Sequence, residues 1–442
     1  MFGDMVKIMA DGSKQDKSNK FTVRRTKLLE LIAQEYPEKA GTVFLFAPFE
    51  GDHEIFLQDS SFYYFSGISE PASVLSFDVH NGTCLHVPDF GDFRAKWVHS
   101  VDEINDRTIA SFGIDQLKTL GNKVAGYSVD PYFSPDDYKK IIEQLREMVA
   151  KKHTIFTLYP AHGRLNASVK TIIDRLSLFV PGLAGHVVDI SPFVAVLRRK
   201  KDISEIEELY QAIEITNAAF QAAAHVIKPG AREAEVQAAM EYIFIENGAR
   251  KAYPAIVASG KQATILHYNT NMATLAKGEL VLIDAGAMHN HYCADITRVF
   301  PVSGKFDKQQ RMLYEIVLET QQHVAEQVRP GMWISNPLQQ EASLQHIAIN
   351  FLKKSGYDQY FIHGIGHYLG LDVHDVGSRS TPLQEGDVIT IEPGIYIPDK
   401  STGIRIEDNY WVVKDSEPVC LSEDIAKSVT EIEEMVRQSF GR

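Results

Sequence analysis

GELVLIDAG (residues 278–286) and GDVITIEPG (residues 386–394) read as one phrase written twice: a glycine, an apolar strand-forming run, a carboxylate and a second glycine. Gly278 and Gly386, Asp284 and Glu392, and Gly286 and Gly394 are each 108 residues apart, and so are Gly248 and Gly356, which end the preceding amphipathic helices. A Pro-Gly closes an earlier helix in each half, at 229–230 and 330–331, with an offset of 101 that implies a length change of seven. The economical reading is a duplicated α-α-β-β unit. Its repeated strand ends in a carboxylate both times, and a carboxylate on an apolar strand is expensive to bury without a partner.

Read as a hairpin centred between His289 and Asn290, LVLIDAGAMHNHYCADITRVF (280–300) places Asp284 directly opposite Asp295. Two anions at the roughly 5 Å spacing of cross-strand neighbours repel each other unless a proton or a cation lies between them. IEPGIYIPDKSTGIRIED (391–408), centred between Asp399 and Lys400, pairs Glu392 with Glu407 in the same way. Between the hairpins lies HGIGHYLGLDVHD (363–375), with His363, His367 and His374, and its three glycines predict a loop. Asp284, Asp295, His367, Glu392 and Glu407 thus form an oxygen-rich set with one imidazole and no sulfur, suited to Mn²⁺, Co²⁺ or Zn²⁺. Two such cations about 3.5–4 Å apart hold a bridging hydroxide at neutral pH, so hydrolysis is the natural reaction. The pair His363 and His367 is not a zincin motif, because Gly364 stands where that motif needs a glutamate.

Upstream of the repeat, VFLFAPF, VLSFDV, TCLHV and TIFTL read as strands alternating with helices over PDDYKKIIEQLREMVAKK and NASVKTIIDRLSLFV, an α/β pattern. A first helix is expected over VRRTKLLELIAQE, capped by Thr22, after a polar, mobile stretch at 1–20. SPFVAVLRRKKD (191–202) joins a strand-like run to four basic residues and a capping signal, Ser204 with Glu207, so the expected division is 1–195 and 196–442. The helix beyond it carries Ile206, Leu209, Ile213, Phe220 and Ile227 near the 3.6 period.

Lys plus Arg is 45 and Asp plus Glu is 58, a net charge of −13, which argues against nucleic acid or an anionic bilayer as the main partner. Three dispersed cysteines build neither a disulfide framework nor a thiolate metal site, and no run approaches the roughly 18 uncharged apolar residues of a membrane span. A reducing, cytoplasmic location is the expectation.

LIDAG, ADITR, HGIGHYLGLDVHD, IEPGIYI and GIRIED resemble the signature segments of the pita-bread metallopeptidases, the family of aminopeptidase P and prolidase. The resemblance runs from about Lys200 to Cys420, and DSSFYYFSGISEPASVL (59–75) is similar to the N-terminal domain that those two enzymes share. It implies an N-terminal α/β domain, a C-terminal pita-bread catalytic domain and two divalent ions per subunit, manganese first. Asp284 would bind one ion, Asp295 and Glu407 would bridge both, and His367 with Glu392 would complete the other. Glu392 would also shuttle the proton, while His363 and His374 would donate to the developing oxyanion and the substrate. His267, in ILHYN, matches a histidine near the substrate, and Arg405 would brace the metal ligands. Tyr253 and Tyr396 read as wall aromatics of the cleft or core.

The implied reaction is hydrolysis of the bond in front of proline at a peptide N-terminus, with peptides carrying proline second as partners and a homodimer or homotetramer as the assembly. A strict dipeptidase must grip the free carboxylate of proline, usually with an arginine. Here the interval from His367 to Glu392 is a compact 25 residues whose only arginine is Arg379, which favours the aminopeptidase over the dipeptidase. A ligand-binding protein on the same fold is the alternative from another class, but such proteins usually lose metal ligands and all five are present. A metal-free relative such as creatinase would leave facing carboxylates uncompensated, and methionine aminopeptidases lack the large N-terminal domain.

Overall fold

The computed structural model describes residues 19–51, 55–91, 96, 103–123, 134–160, 167–379, 381–414 and 416–440, so most of the 1–20 stretch lies outside the described residues. Two compact units meet in sequence at Arg198 and Arg199.

The first unit is built on a six-stranded mixed sheet, β4-β3-β2-β1-β5-β6, made of β1 (Gly41–Phe46), β2 (Val74–Asp78), β3 (Gly82–Asp89), β4 (Gln116–Lys123), β5 (Thr154–Thr157) and β6 (Val187–Asp189). The helix Lys20–Glu35 starts earlier than the Thr22 cap implied, because Asn19 accepts the Phe21 N–H and takes the cap position. SPFVAVL is helix rather than strand, spanning Ser191–Arg199. Asp189 accepts from the Ser191 backbone and hydroxyl, Pro192 suits a first helical turn, and Val194 is buried while Val196 faces solvent.

The second unit carries the duplication. The helices Ile203–Val226 and Lys308–Ala325 open the two repeats, and Glu233–Glu246 and Leu344–Lys354 follow them. Gly230 and Gly331, Gly248 and Gly356, and Gly278 and Gly386 all have φ between +68° and +93°, so each matched pair serves the same left-handed turn in both halves. The long first helix is capped by Asp202, whose Oδ1 accepts the Glu205 N–H while Glu205 Oε2 accepts the Asp202 N–H. This corrects the expected Ser204–Glu207 cap, since the Ser204 hydroxyl is bonded to Asp202 itself.

In the first repeat β8 (Ile256–Ser259), β9 (Leu280–Ala285) and β12 (Ile296–Pro301) form an antiparallel sheet, and β7 (Arg250–Lys251), β10 (Ala287–His289) and β11 (Tyr292–Cys293) form a smaller one. In the second, β13 (Val388–Ile391) and β16 (Asp408–Trp411) pair, with β17 (Val419–Cys420) beyond, while β14 (Gly394–Ile397) and β15 (Thr402–Arg405) form a ribbon. The second hairpin has the expected register, Gly394 opposite Arg405 and Ile391 opposite Asp408. The first does not: Asp284 lies opposite Thr297, because Asn290 and His291, at φ +44° and +71°, centre the turn one residue later than assumed, which moves each cross-strand partner by two. A two-step shift keeps side chains on the same face, so Asp284 and Asp295 become diagonal rather than direct neighbours.

The repeats join at a seam where Thr297 bridges Glu407. Arg298, fully buried, donates to the Glu407 carbonyl at 2.7 Å and to Asp408 Oδ1 at 2.7 Å, and Lys427, Ser422 and Gln321 also bond the Asp408 carboxylate. Burial alone would raise the Asp408 carboxyl, but the Arg298 and Lys427 charges outweigh it and hold the group well below the usual range. Replacing Asp408 with Asn leaves buried Arg298 underpaired, so urea unfolding of Asp408→Asn should show a loss of about 3–5 kcal/mol, and an unchanged midpoint would remove Asp408 from this role.

Candidate active site

All nine residues named from the sequence, Asp284, Asp295, His367, Glu392, Glu407, His267, His363, His374 and Arg405, border one cleft of about 780 Å³ in the second unit. Each arrives on a different local device. Asp284 is the last residue but one of β9 and Asp295 precedes β12, Glu392 and Glu407 occupy the gap between the two ladders of the second hairpin, and the histidines come from loops. The segment 363–375 is irregular, as its glycines predicted, yet it is tied to the β13 edge by Thr390 N to His367 O (2.9 Å), Leu369 N to Val388 O (2.9 Å) and Glu392 N to Ile365 O (2.9 Å). Gly366 is required there, since a Cβ would stand 2.0 Å from the Thr390 carbonyl oxygen. His267 is exposed, in the turn after a short 3₁₀ segment (Gly260–Thr264).

Among the described residues, Asp295, His367 and Glu407 each place a ligand atom within 4.8 Å of the others. His367 Nε2 is 3.3 Å from Asp295 Oδ2 and 3.7 Å from Glu392 Oε1. Asp284 joins through Tyr253, whose hydroxyl lies 2.6 Å from Asp284 Oδ1 and 2.5 Å from Asp295 Oδ1. A phenol has one proton and can donate to only one of these oxygens, so the pair retains an uncompensated lone pair aimed at a shared point.

The electrostatics point the same way. Burial lifts the Glu407 carboxyl well above its ordinary value, and the charges of Asp295, Glu392 and Asp284 lift it further. Glu392 is pushed up to about 7, by burial first, against the lowering pull of His367 and Arg405. Burial would lower His367, but its bond to Asp295 and the charges of Asp295 and Glu392 raise it to about 9. These carboxylates strain to keep protons and the imidazole to gain one, the response of an acidic cluster built to enclose positive charge. The donor set therefore fits divalent cations.

Arg405 spans the cluster, with Nη2 to Asp284 Oδ2 (2.5 Å), Nη1 to the Tyr396 hydroxyl (2.9 Å) and Nε to Thr297 Oγ1 (3.0 Å). Thr297 passes its own proton to Glu407 Oε2 at 2.7 Å. Asn409 clamps the Asp295 backbone, donating to its carbonyl at 2.6 Å and accepting its N–H at 3.3 Å. Tyr253, Tyr396, Thr297 and Asn409 were not named as functional from the sequence. Thr297 and Asn409 were within reach of such a reading, lying two residues beyond Asp295 and Glu407 on the same strand faces.

His363 also borders the cleft. Its Nδ1 is 2.8 Å from the Gly364 carbonyl and its Nε2 is 2.8 Å from the Tyr396 hydroxyl, so both ring nitrogens are engaged. Burial, then the Arg405 charge, lowers it to about 4, leaving a neutral ring that gives its Nδ1 proton to Gly364 and accepts from Tyr396. His374 stands with its ring centroid 4.2 Å from that of His367, edge to face.

Four carboxylates and an imidazole gathered where two pseudo-equivalent hairpins meet define a metal-dependent hydrolase of the pita-bread class. The chain belongs to metallopeptidase family M24, whose model matches residues 207–414. The Xaa-Pro aminopeptidase of Escherichia coli strain K12 is 32% identical over 92% of this chain and 95% of its own length. The Xaa-Pro dipeptidase of Pyrococcus furiosus is 42% identical over 55% of this chain and 66% of its own. Among solved structures, zinc-substituted E. coli aminopeptidase P in complex with product superimposes with a TM-score of 0.77 at 29% identity, covering 96% of this chain and 99% of that one.

Because Glu392 binds its proton more tightly in the fold than at its ordinary 4.5, that contribution to stability is complete below about pH 4.5 and is lost as pH rises through 7. Compared with Glu392→Gln, the chelator-treated parent should therefore lose more melting temperature between pH 5.5 and pH 8, and Mn²⁺ should raise the pH 8 value by binding the folded state alone. An identical pH dependence in parent and Glu392→Gln would contradict the electrostatic account.

Proposed function

We propose that this protein is an Xaa-Pro aminopeptidase that hydrolyses the bond between an N-terminal residue and a following proline, using two divalent cations, manganese by preference. The observation that carries the reading is the convergence of Asp295, His367 and Glu407 ligand atoms within 4.8 Å beside Asp284 and Glu392. Asp284 would hold one cation, Asp295 and Glu407 both, and His367 with Glu392 the other. Bound there, the cations supply Lewis-acid polarisation of the scissile carbonyl and acidify water.

The chain's own groups do the rest. Glu392, with Oε1 3.7 Å from His367 Nε2 in the centre of the cluster, would accept a proton from the attacking water and return it to the leaving proline nitrogen. Arg405 orients Asp284 and, through Thr297, Glu407. His267 and His374, both on the cleft wall, donate to the substrate carbonyl and its neighbours. The substrate explains why a dedicated site is useful: an Xaa-Pro bond is a tertiary amide without an N–H, and peptidases that grip that donor lose a contact. A homodimeric or homotetrameric assembly and a reducing cytoplasmic setting, in keeping with free Cys84, Cys293 and Cys420, belong to the same proposal.

One observation favours a dipeptidase instead. Arg379 borders the cleft, and its guanidinium lies 3.5 Å from where a Gly364 side chain would begin, within reach of a dipeptide's free carboxylate. Hydrolysis of Ala-Pro-Ala and Ala-Pro by Mn²⁺-loaded protein separates the two. Cleavage chiefly of the tripeptide is expected; cleavage confined to the dipeptide would make the enzyme a dipeptidase. Glu392→Gln should lower kcat about 10²- to 10⁴-fold, and Asp295→Asn should abolish metal-dependent turnover.

A further inference from the structure

The basic run that ends the first unit's helix has no part in the chemistry above, yet Arg199 and Lys201 are buried rather than solvated. Arg199 forms a two-pronged pair with Asp387, Nε to Oδ1 at 2.7 Å and Nη2 to Oδ2 at 2.6 Å, and also donates to Thr381 Oγ1 and the Pro382 carbonyl. Lys201 Nζ lies 2.9 Å from Asp375 Oδ2 with both side chains 1% exposed, and its backbone N–H donates to the Gly386 carbonyl. These tethers hold the two ends of one segment. Its described residues from Gly370 to Asp387 form neither helix nor strand, and scattered backbone bonds such as Asp375 N–H to the Tyr368 carbonyl (3.0 Å) replace a continuous ladder, so side-chain bonds add to what little the backbone fixes.

Asp375 directly follows His374, whose ring rests against that of His367. The pair also dictates local sequence: a Cβ on Gly370 would stand 2.1 Å from Asp375 Oδ2 and 2.8 Å from Lys201 Cε. A buried ion pair is a poor source of stability compared with apolar residues of similar volume, but it tolerates only one geometry. That property suits a group that must be aimed rather than merely held.

We infer that Lys201 and Asp375 are positioning residues for the hydrolytic reaction: their buried pair fixes the backbone at Asp375 and thereby aims His374 into the cleft, while Arg199 and Asp387 secure the far end of the segment. The inference rests on the peptidase reading of the site. It makes the catalytic loop depend on residues some 170 positions upstream.

The test removes both charges together, so that neither is left buried and unpaired. Lys201→Met/Asp375→Leu is compared with the parent protein, with His374→Ala and with the triple variant, using Ala-Pro-Ala and Mn²⁺. The double variant should melt near the parent temperature and lose about 10- to 100-fold in kcat with little change in KM. In the His374→Ala background the same change should cost nothing further, since a positioning pair has no effect once its client is gone. In metal-free protein, amide exchange should quicken across 368–379 and stay unchanged in β9 and β12, a readout independent of turnover. Parental kcat in the double variant, an equal loss in both backgrounds, or unaltered exchange overturns the inference. A parent protein that cleaves no Xaa-Pro peptide overturns the functional reading instead, and the exchange measurement still decides whether the pair fixes the loop. Should the double variant not fold, Asp375→Asn, which keeps an oxygen for the Lys201 ammonium, is measured in the same way and should show a smaller loss of kcat that again vanishes without His374.

Discussion

Mutual repulsion among carboxylates buried in one cleft is the constraint around which the catalytic unit is organised. Asp284, Asp295, Glu392 and Glu407 are brought close enough for burial and neighbouring charge to raise Asp284, Glu392 and Glu407. A fold can hold such a cluster only if its frame is stiff and if positive charge is supplied from within or bound from outside. Arg405 supplies one fixed charge, and its three-way grip on Asp284, Tyr396 and Thr297 shows why an arginine fork rather than a lysine point charge occupies the position. A bound divalent metal would supply the remainder.

The stiffness comes from the seam between the two repeats. Thr297 and Arg298 of β12 reach across to Glu407 and Asp408, and Asn409 reaches back to the Asp295 backbone. Adjacent residues thus divide the labour: on one side of each strand a ligand faces the cleft, and on the other a buried charge locks strand to strand. The Arg298–Asp408–Lys427 cluster is fully satisfied, which is the condition under which buried charge specifies a structure rather than loosening it.

The cleft wall is less uniform. The carboxylates lie within or directly beside paired strands, whereas His363, His367 and His374 lie on an irregular segment and depend on tethers of several kinds. His367 is held by the β13 edge, His363 by Gly364 and Tyr396, and His374 by its neighbour Asp375 and the distant Lys201. Loops can carry catalytic groups accurately only when such fixed points exist.

The sequence by itself determined the duplication, the residues that gather in the cleft and the class of chemistry, because glycines with positive φ and paired carboxylates leave local signatures that recur at fixed spacing. It also placed the loop character of 363–375. Register, caps and partners were decided only by tertiary structure. The first hairpin turned at Asn290–His291, and Asp284 kept its face only because the shift was an even number of residues. SPFVAVL became a helix because Asp189 and Pro192 set its first turn, which an apolar run alone does not reveal. Tyr253 stands between two aspartates, and Lys201 meets Asp375, across chain separations of 31 to 174 residues. Local pattern reports what a residue can do; which distant group shares its proton or charge is fixed only when the fold brings them into contact.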